Sequence, residues 1–123
     1  MAIQQSPRHD PPAAAALLQG DALRLIFKHS PTCGLSDMAY TEVSLFADTH
    51  PELPVLLVDV LEQRSLSQQL AVELHLVHQS PQVILVAGGR PLWSASHRGV
   101  TMQAVERALE SVLPRHAKGE DGP

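Results

Sequence analysis

The sequence predicts one α/β domain with a mixed four-stranded sheet flanked by helices and a short extra helix at its N-terminal end. Three observations carry this. Val55–Val60 is almost continuously apolar, the pattern of a central strand covered on both faces. Between Gly34 and Thr49, Leu35, Met38, Ala39, Val43 and Phe46 recur at helical spacing. Gly88-Gly89 separates two strand-like runs and marks a tight hairpin.

The remaining elements follow in chain order. Residues 1–12 are polar, hold Pro7, Pro11 and Pro12, and are expected to be a tail. Ala13–Gln19 is a short helix candidate ended by Gly20. Leu23–Lys28 is an apolar strand between turn signals. Pro51 and Pro54 close the long helix before the Val55 strand. Ser65 begins another helix with Gln68 as its capping-box partner, and Leu66, Leu70 and Leu74 form its apolar face. Pro81 precedes the strand Gln82–Ala87, and the hairpin returns near Pro91–Ser94. Thr101 caps a last helix that turns Met102, Val105, Leu109 and Val112 inward. The domain is expected over residues 13–113, with residues 114–123 as a second tail. A parallel pair joined by a helix, then a helix, a hairpin and a helix is the order of a thioredoxin-like fold in its compact form.

Composition narrows the function. The chain has 123 residues, 44% of them apolar and only 3% aromatic, so the core is aliphatic. A net charge of −4 argues against nucleic acid or an anionic membrane as partner. No apolar run approaches the roughly 20 residues that span a bilayer, and Met1 to Pro12 lacks the marks of a signal peptide, so a cytoplasmic location is expected. The single cysteine excludes an internal disulfide.

That cysteine is the candidate nucleophile. Cys33 follows Lys28-His29-Ser30-Pro31-Thr32 and precedes the long helix, at the strand-to-helix junction. Free N–H groups and the positive end of the helix dipole stabilise a thiolate there, and the thiolate is the species that exchanges. Lys28 and a protonated His29 are expected to add positive charge. A lone cysteine elsewhere is commonly an inert small hydrophobe; its position argues otherwise here. Ser36 stands where a dithiol protein carries its second cysteine, so a resolving thiol must come from another molecule; a serine there also satisfies backbone at a helix start. Ser80-Pro81, immediately before a strand, is a candidate cis-proline that offers backbone to an extended substrate. His97 is a candidate tuner of the thiolate or contact for a thiol ligand. Trp93 either stacks on a ligand or completes the core, and the core reading is favoured. His75 and His78 are three apart, but no cysteine pair or HExxH motif joins them, so no metal site is expected. Glu62, Glu73, Glu106 and Glu110 read as solvated charge.

Three blocks carry a family resemblance. Lys28-His29-Ser30-Pro31-Thr32-Cys33 with Ser36 resembles the KHSxxCxxS segment of the YtxJ-type monothiol bacilliredoxins. His78-Gln79-Ser80-Pro81-Gln82 resembles that family's HxSPQ. Trp93-Ser94-Ala95-Ser96-His97 with Thr101 resembles its WxxSHxxIT ending, with Val100 in place of isoleucine. The blocks keep the family's order and span Leu23 to about Leu113. The resemblance implies a thioredoxin-like fold and a monothiol thiol–disulfide oxidoreductase that removes bacillithiol from S-bacillithiolated proteins. Cys33 would take the bacillithiol as a mixed disulfide, and free bacillithiol, a co-substrate rather than a bound cofactor, would reduce it. Pro81 would match the family's cis-proline. On the residues themselves, Ser36, Ser80, Pro81, Trp93 and His97 are the candidate substrate contacts. Gly34 departs from the proline common after the family's cysteine. Cys33-Gly34-Leu35-Ser36 is one residue from the CGFS motif of monothiol glutaredoxins that bind iron–sulfur clusters. Their second Gly-Gly with acidic residues is absent here, where the chain reads Ser96-His97-Arg98-Gly99-Val100. A non-catalytic thioredoxin-like interaction module is the third reading.

Overall fold

A computed structural model describes residues 3–5, 14–32 and 34–118. Its elements are β1 (Ile3–Gln5), α1 (Ala14–Leu17), β2 (Arg24–His29), α2 (Gly34–Thr49), β3 (Val55–Asp59), α3 (Arg64–Leu74), β4 (Gln82–Ala87), β5 (Arg90–Ser96), a 3-10 turn (His97–Gly99) and α4 (Met102–Lys118). The strands form one sheet in the order β1-β3-β2-β4-β5. β1, β3 and β2 run parallel; β4 is antiparallel to β2, and β5 to β4. The expected mixed four-stranded core is β3-β2-β4-β5, and β1 adds a fifth strand at its edge.

Both faces of the sheet are covered, which is why its central strands read as unbroken apolar runs. Alternation along β2 sends Leu25 and Phe27 to one face and Ile26 to the other. Leu25 and Phe27 meet Ala39, Val43 and Phe46 of α2 and Val105 and Leu109 of α4. Ile26 meets Leu66, Leu70 and Leu74 of α3, with Ala14 and Leu18 from the α1 end. The β4–β5 hairpin turns through Gly88 and Gly89 at φ 61° and 73°, where two consecutive positive φ angles favour glycine.

The structure corrects four boundaries. Ile3–Gln5, expected in the N-terminal tail, pair with Val55–Leu57; residues 6–13 lie outside the described part. α4 passes Pro114 and reaches Lys118, although a proline there removes one helical hydrogen bond. α3 starts at Arg64 with Gln63 as N-cap and no side-chain cap bond, so the Ser65–Gln68 capping box is not formed. Ser65 Oγ instead accepts a bond from Gln69 Nε2 at 3.2 Å. α1, described as Ala14–Leu17, ends before the expected Gln19. Thr101 does cap α4: its Oγ1 accepts from the Ala104 N–H at 3.1 Å. None of the described helices is long and apolar enough to cross a membrane.

Candidate active site

Strand directions gather the candidate residues at one end of the sheet. β2 ends at His29, and Lys28 pairs with Gln82, the first residue of the antiparallel β4. Gln82 pairs in turn with Ser96, the last residue of β5. The end of β2, the Ser80-Pro81 approach to β4 and the exit from β5 therefore share one edge. α2 starts from that edge at Gly34. Cys33 itself lies outside the described residues; it is joined to Gly34, the first residue of α2.

The turn before α2 is held from within the helix. Ser36 is fully buried, and its Oγ accepts a bond from the Ser30 N–H at 3.2 Å. Ser36 thus satisfies backbone beside the helix start, and its burial corrects the expectation that it contacts substrate. The Ser80–Pro81 bond is cis, matching the candidate assigned from sequence. The Pro81 carbonyl accepts a bond from the His97 N–H at 2.9 Å, and His97 adopts φ 54°. Ser80 Oγ is buried without a partner.

His97 also borders a groove of about 620 Å³ between α2 and the start of α4, lined by Leu35, Met38, Ala39, Arg98 and Val100. Nothing in the periodicity of α2 announced it, because Met38 reads as an inward position yet is exposed.

Two expected charges are corrected. Lys28 does add a buried ammonium, but strand alternation turns it to the α3 face, opposite α2. Its Nζ donates to the Ser67 carbonyl at 2.9 Å and lies 3.2 Å from His78 Nδ1. Burial lowers its pKa to about 8. His29 is on the α2 face, in a ring cluster with Phe27 and Tyr40 at centroid distances of 5.5 and 5.2 Å. Its Nδ1 is buried without a partner. Burial pushes its pKa down against the opposing pull of Asp37 and Asp59, so the ring is neutral at pH 7 rather than a cation.

Trp93 is half-buried and packs on the core cluster, opposite Leu85 in the β4–β5 ladder. It is three residues back along β5 from Ser96, so the core reading describes it. His78, weighed from the sequence only as a metal ligand, is the partner of Lys28 and Ser67. The signal available in the sequence was a lysine closing an apolar strand, which demands a partner once buried. No group of three or more metal-ligating side chains forms among the described residues.

This sheet, the cis-proline at the same sheet edge as the helix start and a serine at position 36 define a monothiol protein of the thioredoxin fold. The family model described as monothiol bacilliredoxin BrxC matches residues 13–105, and the chain belongs to that family. Solved structures agree on the fold. One protein with a thioredoxin fold aligns at a TM-score of 0.67 and 25% identity, covering 72% of this chain and 78% of that one. Thioredoxin f2 of Chlamydomonas reinhardtii aligns at 0.67 and 14% identity, covering 91% and 97%. Thioredoxin of Fasciola hepatica aligns at 0.62 and 15% identity, covering 75% and 82%. Family and fold together place this chain in thiol–disulfide exchange chemistry.

Proposed function

We propose that the protein removes bacillithiol from S-bacillithiolated proteins through a Cys33 mixed disulfide. The single observation that carries the reading is the family match over residues 13–105, within which the chain has one cysteine.

The exchange has two balanced steps. The Cys33 thiolate attacks the bacillithiol sulfur of the client's mixed disulfide. A Cys33–bacillithiol disulfide forms, the client sulfur leaves as a thiolate and takes a proton from water. A second bacillithiol thiolate then attacks that disulfide, releasing the Cys33 thiolate and the symmetrical bacillithiol disulfide. The second thiol has to be external, because Ser36 has no sulfur and its hydroxyl is engaged with the Ser30 N–H.

The chain supports these steps in three places. Cys33 is covalently adjacent to the first N–H groups of α2, which favour an anion. Ser80, held before the cis bond to Pro81, offers backbone at the same sheet edge for an extended client segment. His97, tied to Pro81 by its N–H, borders the groove and is the contact for the small thiol. Cytoplasmic action fits this chemistry, which needs a reducing thiol pool.

The test is release of bacillithiol from a bacillithiolated protein, with added bacillithiol, by the wild-type chain and by Cys33→Ser. Wild-type turnover with none in Cys33→Ser supports the reading; equal activity overturns it.

A further inference from the structure

We propose that Lys28 is a positioning residue for the loop that carries Ser80 and Pro81, acting through His78 rather than on the Cys33 thiol. The inference rests on the exchange reading for its relevance and on hydrogen bonds for its content.

An ammonium with no solvent exposure is tolerated only when its donors are met. Two partners of Lys28 come from different elements. The Ser67 carbonyl, 2.9 Å away, belongs to α3. His78 Nδ1, 3.2 Å away, belongs to the segment leading to the cis bond. Ser67 Oγ also reaches His78 Nδ1, at 3.3 Å. One lysine on the central strand thus ties a helix and the substrate-facing loop together. His78 is largely exposed, so packing does not hold it in place.

The rest of the loop is lightly held. Leu76 N–H bonds the Ala71 carbonyl, closing α3. Gln82 Nε2 donates to the Val77 carbonyl at 3.3 Å, and its Oε1 accepts from Gln79 N–H at 3.4 Å. Both of those bonds lead back to Gln82, the strand partner of Lys28. Lys28 therefore reaches the loop twice, through backbone pairing and through its own ammonium.

The tie requires an acceptor at His78 Nδ1, hence a neutral ring with its proton on Nε2. Burial, Lys28 and Arg64 of α3 all disfavour the protonated ring, which agrees with that tautomer. A protonated His78 would set an N–H donor against the ammonium and open the tie.

The experiment uses the full chain with Lys28→Met, His78→Phe and His78→Gln. Three quantities are read: amide hydrogen exchange at residues 76–80, the pH dependence of Cys33 alkylation, and KM and kcat for a bacillithiolated protein. Losing a charge-assisted hydrogen bond corresponds to a change of about tenfold or more. His78→Phe and Lys28→Met are expected to speed loop exchange and raise KM by about tenfold, with kcat nearly unchanged. The alkylation midpoint stays where it is. His78→Gln, which keeps an acceptor, stays within about threefold of wild type. Unchanged loop exchange in His78→Phe overturns the proposal, as does a shifted alkylation midpoint in Lys28→Met with a quiet loop. If Lys28→Met fails to fold, the two variants at the exposed His78 decide. A wild-type chain that transfers no bacillithiol overturns the exchange reading instead, and the loop exchange rates still judge the tie.

Discussion

The backbone N–H of His97 donates to the Pro81 carbonyl oxygen at 2.9 Å, joining the exit of β5 to the cis-proline. His97 makes this bond with φ at 54°, in the left-handed region that L residues with branched side chains avoid. His97→Gly is expected to keep the fold, since glycine adopts that backbone freely, and to raise KM by removing the ring. His97→Val is expected to lose about 1–2 kcal/mol of stability. Urea unfolding of both variants checks this, and the order Gly above Val is the decisive feature.

Ser36→Ala leaves the Ser30 N–H without its acceptor and is expected to cost about 1 kcal/mol. Ser36→Cys places a second thiol three residues after Cys33. That variant is expected to release bacillithiol without an external thiol, ending as an internal disulfide two mass units lighter than the dithiol, about 2 Da. Intact mass spectrometry after one turnover measures it.

His29 predicts an acid-side stability loss. Its folded pKa lies below the unfolded value of 6.5, so the unfolded chain binds more protons between the two. Stability therefore falls as pH drops through 6.5 towards the folded pKa, and is level above that window. His78, also lowered, adds a parallel contribution. His29→Phe keeps a ring against Phe27 and Tyr40 and removes the orphaned Nδ1. It is expected to flatten part of the slope below pH 6.5, read as urea midpoints across pH.

Trp93 separates core from contact. Because its ring packs on the core cluster, Trp93→Phe is expected to cost about 1 kcal/mol while leaving KM for exchange unchanged. A several-fold rise in KM with intact stability would return Trp93 to the substrate face.

The long elements were legible because each carries its own period. α2 matches the apolar spacing from Gly34 to Thr49, and the Gly88-Gly89 turn fixes the hairpin that follows. β1 was not legible: Ile3-Gln4-Gln5 is too short to show alternation, and its partner is more than fifty residues away at Val55–Leu57. The face of Lys28 was hidden for a different reason. β2 is buried on both sides, so apolar periodicity could not say whether residue 28 looks towards α2 or α3. The charge on His29 depends on burial by Phe27 and Tyr40, a long-range property that no local motif records. The cis bond at Ser80–Pro81 could be read because serine-proline sits directly before a strand and within a motif that resembles a known family.

The most direct test is single-turnover transfer, followed by intact mass on the full chain. The protein is mixed with one equivalent of a bacillithiolated protein, and separately with the same protein glutathionylated. The expected result is a bacillithiol adduct on Cys33 with a matching loss from the client, and little transfer of glutathione. A Cys33 that stays unmodified while the client keeps its bacillithiol would contradict it.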